Sequence, residues 1–253
     1  MEQIKLMTFR NDNSYTINRK QFDCIELSIP TNGDWMRRTN LKAYKVLYRL
    51  NRGQANTSGQ RSITTVEIDN LMGQIAERAC ETLLKWKFGD QNIIQPPYEG
   101  SINQIDIKLI NGKTIEVRSS CVRNGIDFAL FAKNKDNAEQ QYFDVIGPYS
   151  NGYKPGERLK DYYMRVLYCC DKNDYISLLK KPILTFYFTG GATKSMMQDK
   201  NYYQIKHLVP AGGQVKEESD YKVIPLGKSL DATQFLDVLA KENDLISQHN
   251  IRH

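Results

Sequence analysis

Fifteen residues constrain this chain most: Asp106-Ile-Lys-Leu-Ile-Asn-Gly-Lys-Thr-Ile-Glu116-Val-Arg118-Ser119-Ser120. Apolar and polar residues alternate on both sides of Asn111-Gly112, the pattern of two strands joined by a tight turn. The length of the turn then decides what the hairpin can do. A two-residue loop pairs 110 with 113 and 107 with 116, which sends Asp106 and Glu116 to opposite faces. A three-residue loop of Ile110, Asn111 and Gly112, with Gly112 left-handed as a bulge, pairs 106 with 116 and puts both carboxylates on one face. The bulged loop is expected. Two carboxylates on one face can hold a hard divalent cation, and a neighbouring side-chain cation stabilises charge developing on a phosphate.

Upstream, residues 67–88 read as an amphipathic helix. Ile68, Leu71, Met72, Ile75, Ala76, Ala79, Leu83 and Leu84 recur at helical spacing, and Gly89 stops it. Glu77 and Glu81, four residues apart, fall at the edge of its polar face, and Glu81 reads as an ordinary solvated residue. Residues 92–98 form a short strand or extended loop, which the tandem prolines keep out of a sheet centre. Strands are expected at 104–110, 113–119, Phe128–Ala132, 142–146 and 183–188. Residues 160–170 fit strand or helix, and their Tyr, Val and Cys content leans to strand. Residues 231–246 read as a C-terminal helix. The fold class is α/β or α+β, a mixed central sheet flanked by helices.

The hairpin resembles the PD-(D/E)xK nuclease superfamily, which includes most type II restriction endonucleases. Asp106 matches the family's Asp, and Glu116-Val117-Arg118 matches its acid-x-Lys triplet, with Arg where Lys is usual. Gly73-Gln-Ile-Ala-Glu77 is similar to a G-x-x-x-E pattern on the preceding helix. The resemblance covers residues 67 to about 133, roughly a quarter of the chain. It implies a restriction-endonuclease-like core over 66–253. It also implies an endodeoxyribonuclease that uses Mg2+ to hydrolyse double-stranded DNA, most simply a sequence-specific type II restriction enzyme. Asp106 and Glu116 would hold the metal with the Val117 carbonyl, Glu77 would serve a second metal or a metal-bound water, and Arg118 would face the phosphate. Arg stays charged and cannot replace Lys as a compact donor with a shiftable pKa. A same-face Glu116–Arg118 ion pair is the bland alternative for that triplet.

The charge distribution adds a partner. Residues 1–65 hold eleven Lys or Arg against five Asp or Glu, and the remainder is balanced. A local basic surplus suits a polyphosphate backbone, so residues 1–65 are expected to contact DNA. Arg37, Arg38, Lys42, Lys45 and Arg49 are the phosphate-contact candidates, the last three on a short helix at 41–50. Trp35 is either an apolar anchor or a stacking surface. The polar stretch 51–62 offers Arg52, Gln54, Asn56, Gln60 and Arg61 for base edges, and reads equally as a surface loop. Ser119, Arg123 and Lys194 complete the DNA-contact set.

Other chemistries find little support. Phe188-Thr-Gly-Gly-Ala-Thr-Lys194 lacks the Walker spacing and reads as a turn after a strand. Three histidines, with His249 and His253 in a stretch expected to fray, supply no zinc site, which favours Mg2+ over Zn2+. No G-x-S-x-G marks a hydrolase nucleophile. Five cysteines without metal spacing read as reduced core residues of a cytoplasmic protein. No apolar run is long enough for a membrane span, and the first residues lack a signal peptide's apolar region. Double-strand cleavage needs two active sites, so a homodimer is expected. The rival readings are a structure-specific repair or recombination nuclease and a DNA-binding module that has lost its chemistry.

Overall fold

The computed structural model describes residues 3–10, 21–47, 62–96, 104–122, 145–149, 159–171, 174–207 and 220–251. The main sheet has seven strands: β1 (Gln3–Arg10), β2 (Gln21–Pro30), β3 (Ile93–Ile94), β4 (Ile107–Leu109), β5 (Thr114–Val122), β7 (Tyr162–Asp171) and β8 (Ile183–Thr193). Their order is β1-β2-β8-β7-β5-β4-β3. Only β5 and β7 run parallel; every other neighbouring pair is antiparallel. A second sheet joins β6 (Val145–Tyr149), β10 (Asp220–Ile224) and β9 (Gln204–His207) in that order. The helices are α1 (Asp34–Leu47), α2 (Ile63–Phe88), α3 (Tyr175–Leu179), α4 (Lys194–Gln198) and α5 (Ala232–Glu242). The fold is therefore α/β, a mixed sheet flanked by helices.

Strand β7 sits at the middle of the sheet because it is apolar on both faces. Every residue from Tyr162 to Leu167 except Arg165 is an apolar or aromatic side chain buried from solvent, as is Tyr168. A strand covered on both sides cannot show clean alternation, which is why its type is hard to read from periodicity alone. Helix α2 covers one face with Ile75, Ala76, Ala79, Cys80, Leu83 and Leu84, all buried in one cluster with Ile107, Ile115, Met164 and Phe186. Ser62 caps its start by accepting from the Thr65 N–H at 3.0 Å, and Gly89 ends it. An Asp231–Gln234 capping box starts α5, whose Phe235, Leu236 and Leu239 join the same cluster.

Several expectations change. The basic N-terminal stretch is not set apart from the core: β2 lies between β1 and β8, and its Ile25, Leu27 and Ile29 are fully buried in the main cluster. The helix expected at 41–50 begins earlier, at Asp34, whose carboxylate pairs with Arg37 and Arg38 across the first turn. Trp35 is an anchor, since its indole N–H donates to Thr82 Oγ1 at 3.2 Å and the Arg78 guanidinium lies over its ring. The stretch 188–194 is not a turn. Strand β8 continues to Thr193 with a bulge at Gly190, where φ is +101°, and Lys194 starts the next helix. A side chain at Gly190 would strike the Leu230 and Asp231 backbone, so this glycine serves packing. His249 is exposed, yet it stacks on Trp86 and Lys87 donates to its carbonyl at 2.8 Å. Cys24, Cys80 and Cys121 are buried as expected, but Cys169 is exposed and Cys170 half-buried. The strand expected at 128–132 and residues 142–144 of the one expected at 142–146 lie outside the described residues, and β6 takes up the latter from Val145.

Candidate functional site

The hairpin takes the bulged form. Ile107 pairs with Ile115 and Lys108 with Thr114, leaving Ile110, Asn111 and Gly112 as a three-residue loop. Gly112 adopts φ +91°, a conformation that L side chains resist. Its N–H donates to the Leu109 carbonyl at 2.9 Å, and the Leu109 N–H donates to the Lys113 carbonyl at 2.8 Å. One further step of this register brings Asp106 opposite Glu116. Ile107 and Ile115 turn to the α2 side and are fully buried, so the acidic pair belongs to the other set of positions.

Asp106 is 7% exposed, and its Oδ2 accepts from the Val117 N–H at 2.7 Å. The Val117 N–H thus fixes the Asp106 carboxylate beside β5. Burial pushes the Asp106 carboxyl well above the usual range, and the charges of Glu116 and Glu77 push it further. The Val117 N–H and Arg118 only partly oppose this. Glu77 arrives from α2 and is also 7% exposed. Burial raises its pKa, the Lys42 ammonium pulls the other way, and Glu116 adds to the rise. Three carboxylates from α2, the bend before β4, and β5 therefore share one electrostatic neighbourhood.

Two cations answer them. The Arg118 guanidinium lies 2.8 Å from Glu116 Oε1 along the same strand. Lys42 comes from α1, with Nζ 3.3 Å from Glu77 Oε2. Gln74, one turn before Glu77 on α2, donates its Nε2 to Glu77 Oε1 at 3.0 Å. Gln74 is 6% exposed, and its Oε1 has no hydrogen-bond partner among the described residues. Lys42, Gln74, Glu77, Ile105 and Asp106 line one small pocket.

Residues that carry no sequence signal hold this corner in place. Lys160 is buried and donates its ammonium to the Gln104 carbonyl at 2.6 Å, two residues before Asp106. Asp161 accepts from the Thr114 N–H and hydroxyl at 3.0 and 2.9 Å, which clamps the start of β5 to that of β7. Arg165 pairs with Arg118 in the parallel register, is buried, and donates to Ser120 Oγ at 3.0 Å. A buried Lys and Arg flanking a strand are visible in the sequence only as isolated charges in apolar runs.

The remaining expected site residues fare unequally. Glu77, Asp106, Glu116 and Arg118 are brought together. Lys42 is part-exposed, pairs with Glu77, and lines a pocket with Glu77 and Asp106. Arg37 and Arg38 are exposed, and each is within 2.5 Å of an Asp34 oxygen. Lys45 is exposed. Ser119 pairs with buried Val166, on the opposite set of positions from Glu116 and Arg118. Lys194 begins α4, and its N–H donates to the Asp161 carbonyl at 2.8 Å. Arg49, Arg52, Gln54, Asn56, Gln60, Arg61 and Arg123 lie outside the described residues. Glu81 is not solvated as expected: it is buried and accepts from Lys85 at 2.6 Å.

A magnesium ion is the group to test against these donors. Among the described residues, no cluster of three or more His, Cys, Asp or Glu side chains is closed enough to hold a metal ion. The donor set nevertheless suits a hard cation: carboxylate oxygens and one buried, unpaired amide oxygen share a pocket. Magnesium commonly uses one or two carboxylates, keeping waters and substrate oxygens for its other positions.

No family model matches the chain, and no solved structure matches it. An uncharacterized protein from Methanocaldococcus jannaschii is 28% identical over 171 residues, covering 56% of this chain and 55% of that protein. The chain spans about half the length of this curated relative. No helix among the described residues is long and apolar enough to cross a membrane.

Proposed function

We propose that this protein is a Mg2+-dependent endonuclease that hydrolyses phosphodiester bonds in double-stranded DNA, a sequence-specific enzyme of the type II restriction kind. The observation that carries the reading is the hairpin register, which sets Asp106 opposite Glu116 where Glu77 also bears on both. A divalent metal held here would supply Lewis acidity toward a phosphate and activation of a water. Asp106, fixed by the Val117 N–H, and Glu116 supply the anionic oxygens that hold it, and Glu77 faces the same pocket. Arg118 offers charge and hydrogen bonds to a phosphate oxygen. The exposed Arg37, Arg38 and Lys45 on α1 supply backbone contacts. Cleavage of both strands would employ a homodimer.

The test is cleavage of unmodified and methylated plasmid and phage DNAs, with and without Mg2+, beside Asp106→Ala. Discrete fragments that need both Mg2+ and Asp106 support the reading. A preference for branched DNA moves it to a structure-specific nuclease. The 2.8 Å Arg118–Glu116 ion pair favours one second reading, a DNA-binding module whose triplet is locked on itself. DNA binding without cleavage under all conditions would establish that module.

A further inference from the structure

Lys42 is the feature of the site that the reading above does not use. It reaches the pocket from a different helix, whereas Arg118 is a neighbour of Glu116 on one strand. Its ammonium sits on Glu77 at 3.3 Å, longer than a strong charge-assisted hydrogen bond. Lys42 is one-third exposed while Glu77 is almost fully enclosed, so the lysine can swing outward and the carboxylate cannot. A buried carboxylate left alone among two others is costly, and some cation must accompany it.

A second observation points to what replaces the lysine. Gln74 Oε1 is buried in the same pocket with no partner among the described residues, although its Nε2 is committed to Glu77. An ammonium bound to Glu77 leaves that oxygen unsatisfied. A hydrated divalent cation brings both positive charge and water O–H donors, and so satisfies Glu77 and Gln74 together.

We propose that Lys42 is the resident counter-ion of the carboxylate pocket, displaced when a divalent cation binds. The inference rests on the carboxylates forming a metal site, as proposed above. The lysine keeps the cluster folded and charge-balanced without metal, and its competition sets the metal concentration at which the site fills. A single-charge competitor near the pocket changes divalent affinity by a factor that Coulomb's law makes measurable.

The experiment measures Mn2+ binding without DNA, by the electron paramagnetic resonance signal of free Mn2+. The proteins are wild type, Lys42→Gln, Lys42→Arg and Asp106→Asn, each checked for folding by circular dichroism. Lys42→Gln keeps an N–H for Glu77 but removes the charge, and it is expected to bind Mn2+ roughly three- to tenfold tighter. Lys42→Arg keeps the charge and should stay within about twofold of wild type. Should Lys42→Gln bind no tighter while Asp106→Asn abolishes binding, the metal site stands and the counter-ion role is overturned. Binding that ignores Asp106→Asn, or absent throughout, removes both the carboxylate site and the role of Lys42.

Discussion

Two consecutive turns of α2 carry the same chemistry to different ends. Glu77 and Glu81 lie four residues apart, are equally buried at 7% exposure, and each accepts from a lysine. Glu81 takes its lysine from its own helix, Lys85 at i+4. Glu77 takes Lys42 from α1 and faces Asp106 and Glu116, so its carboxyl is raised by burial and by like charge. Burial of an acid is thus not the mark of a site. Convergence of acids from separate elements, satisfied by a cation that is not their sequence neighbour, is the better one.

The sharpest way to break this comparison is to remove each acid in turn. Glu77→Gln should lower Mg2+-dependent cleavage by about 10- to 100-fold, the usual effect of losing a group that orients a metal site. Glu81→Gln should remain within about twofold of wild type under the same principle, because it touches no site group. Equal losses in the two variants would erase the distinction.

Next comes a stability effect of opposite sign. Asp106 has a folded pKa raised above its unfolded value, so the folded state holds the proton more tightly. The associated stability is complete at low pH and is lost as pH rises through the raised value. Asp106→Asn mimics the neutral form, and should raise the melting temperature by about 2–4 °C at pH 8, as 1 kcal/mol does for a chain of this size. The gain should shrink near pH 4. A variant that melts earlier at pH 8 would show that the carboxylate stabilises the fold.

A smaller effect tests the register. Gly112→Ala forces a Cβ into a left-handed position and should cost about 1 kcal/mol, read from denaturant midpoints. Nothing lies within 4 Å of the added atom, so the loss is conformational and a Gly112→Asn variant should recover part of it. The smallest effect belongs to the control turn: Lys85→Arg, which keeps a cation on the buried Glu81, should cost under about 1 kcal/mol and leave Mn2+ affinity unchanged.

How much of this was legible depends on distance along the chain. The hairpin loop, the register of Asp106 with Glu116, and α2 are local, and turn chemistry and periodicity reveal them. The joining of β1 and β2 to the β8 side of the sheet is not local, since Ile25 pairs with Phe188 and the apolar pattern of β2 names no partner. The destination of Lys42 was hidden for the same reason: a basic helix face reads as DNA-binding until a second helix presents a buried acid beside it. Gly190 misled in another way. A Gly-Gly pair at a strand end signals a turn, and only the approach of Leu230 and Asp231 makes it a bulge in a continuing strand. Lys160, Asp161 and Arg165, which brace the site, are single charges that no periodicity distinguishes.

The pairing of β2 with β8 has a consequence for biosynthesis. The open edge of β2 leaves the ribosome about 160 residues before the strand that pairs with it, a wait of roughly 8 to 32 s at ordinary elongation rates. Through that interval β2 is paired with β1 alone and its other edge is open, the kind of unpaired strand edge that exposes a nascent chain to aggregation, so yield should depend on translation speed as well as on the stability of the finished fold.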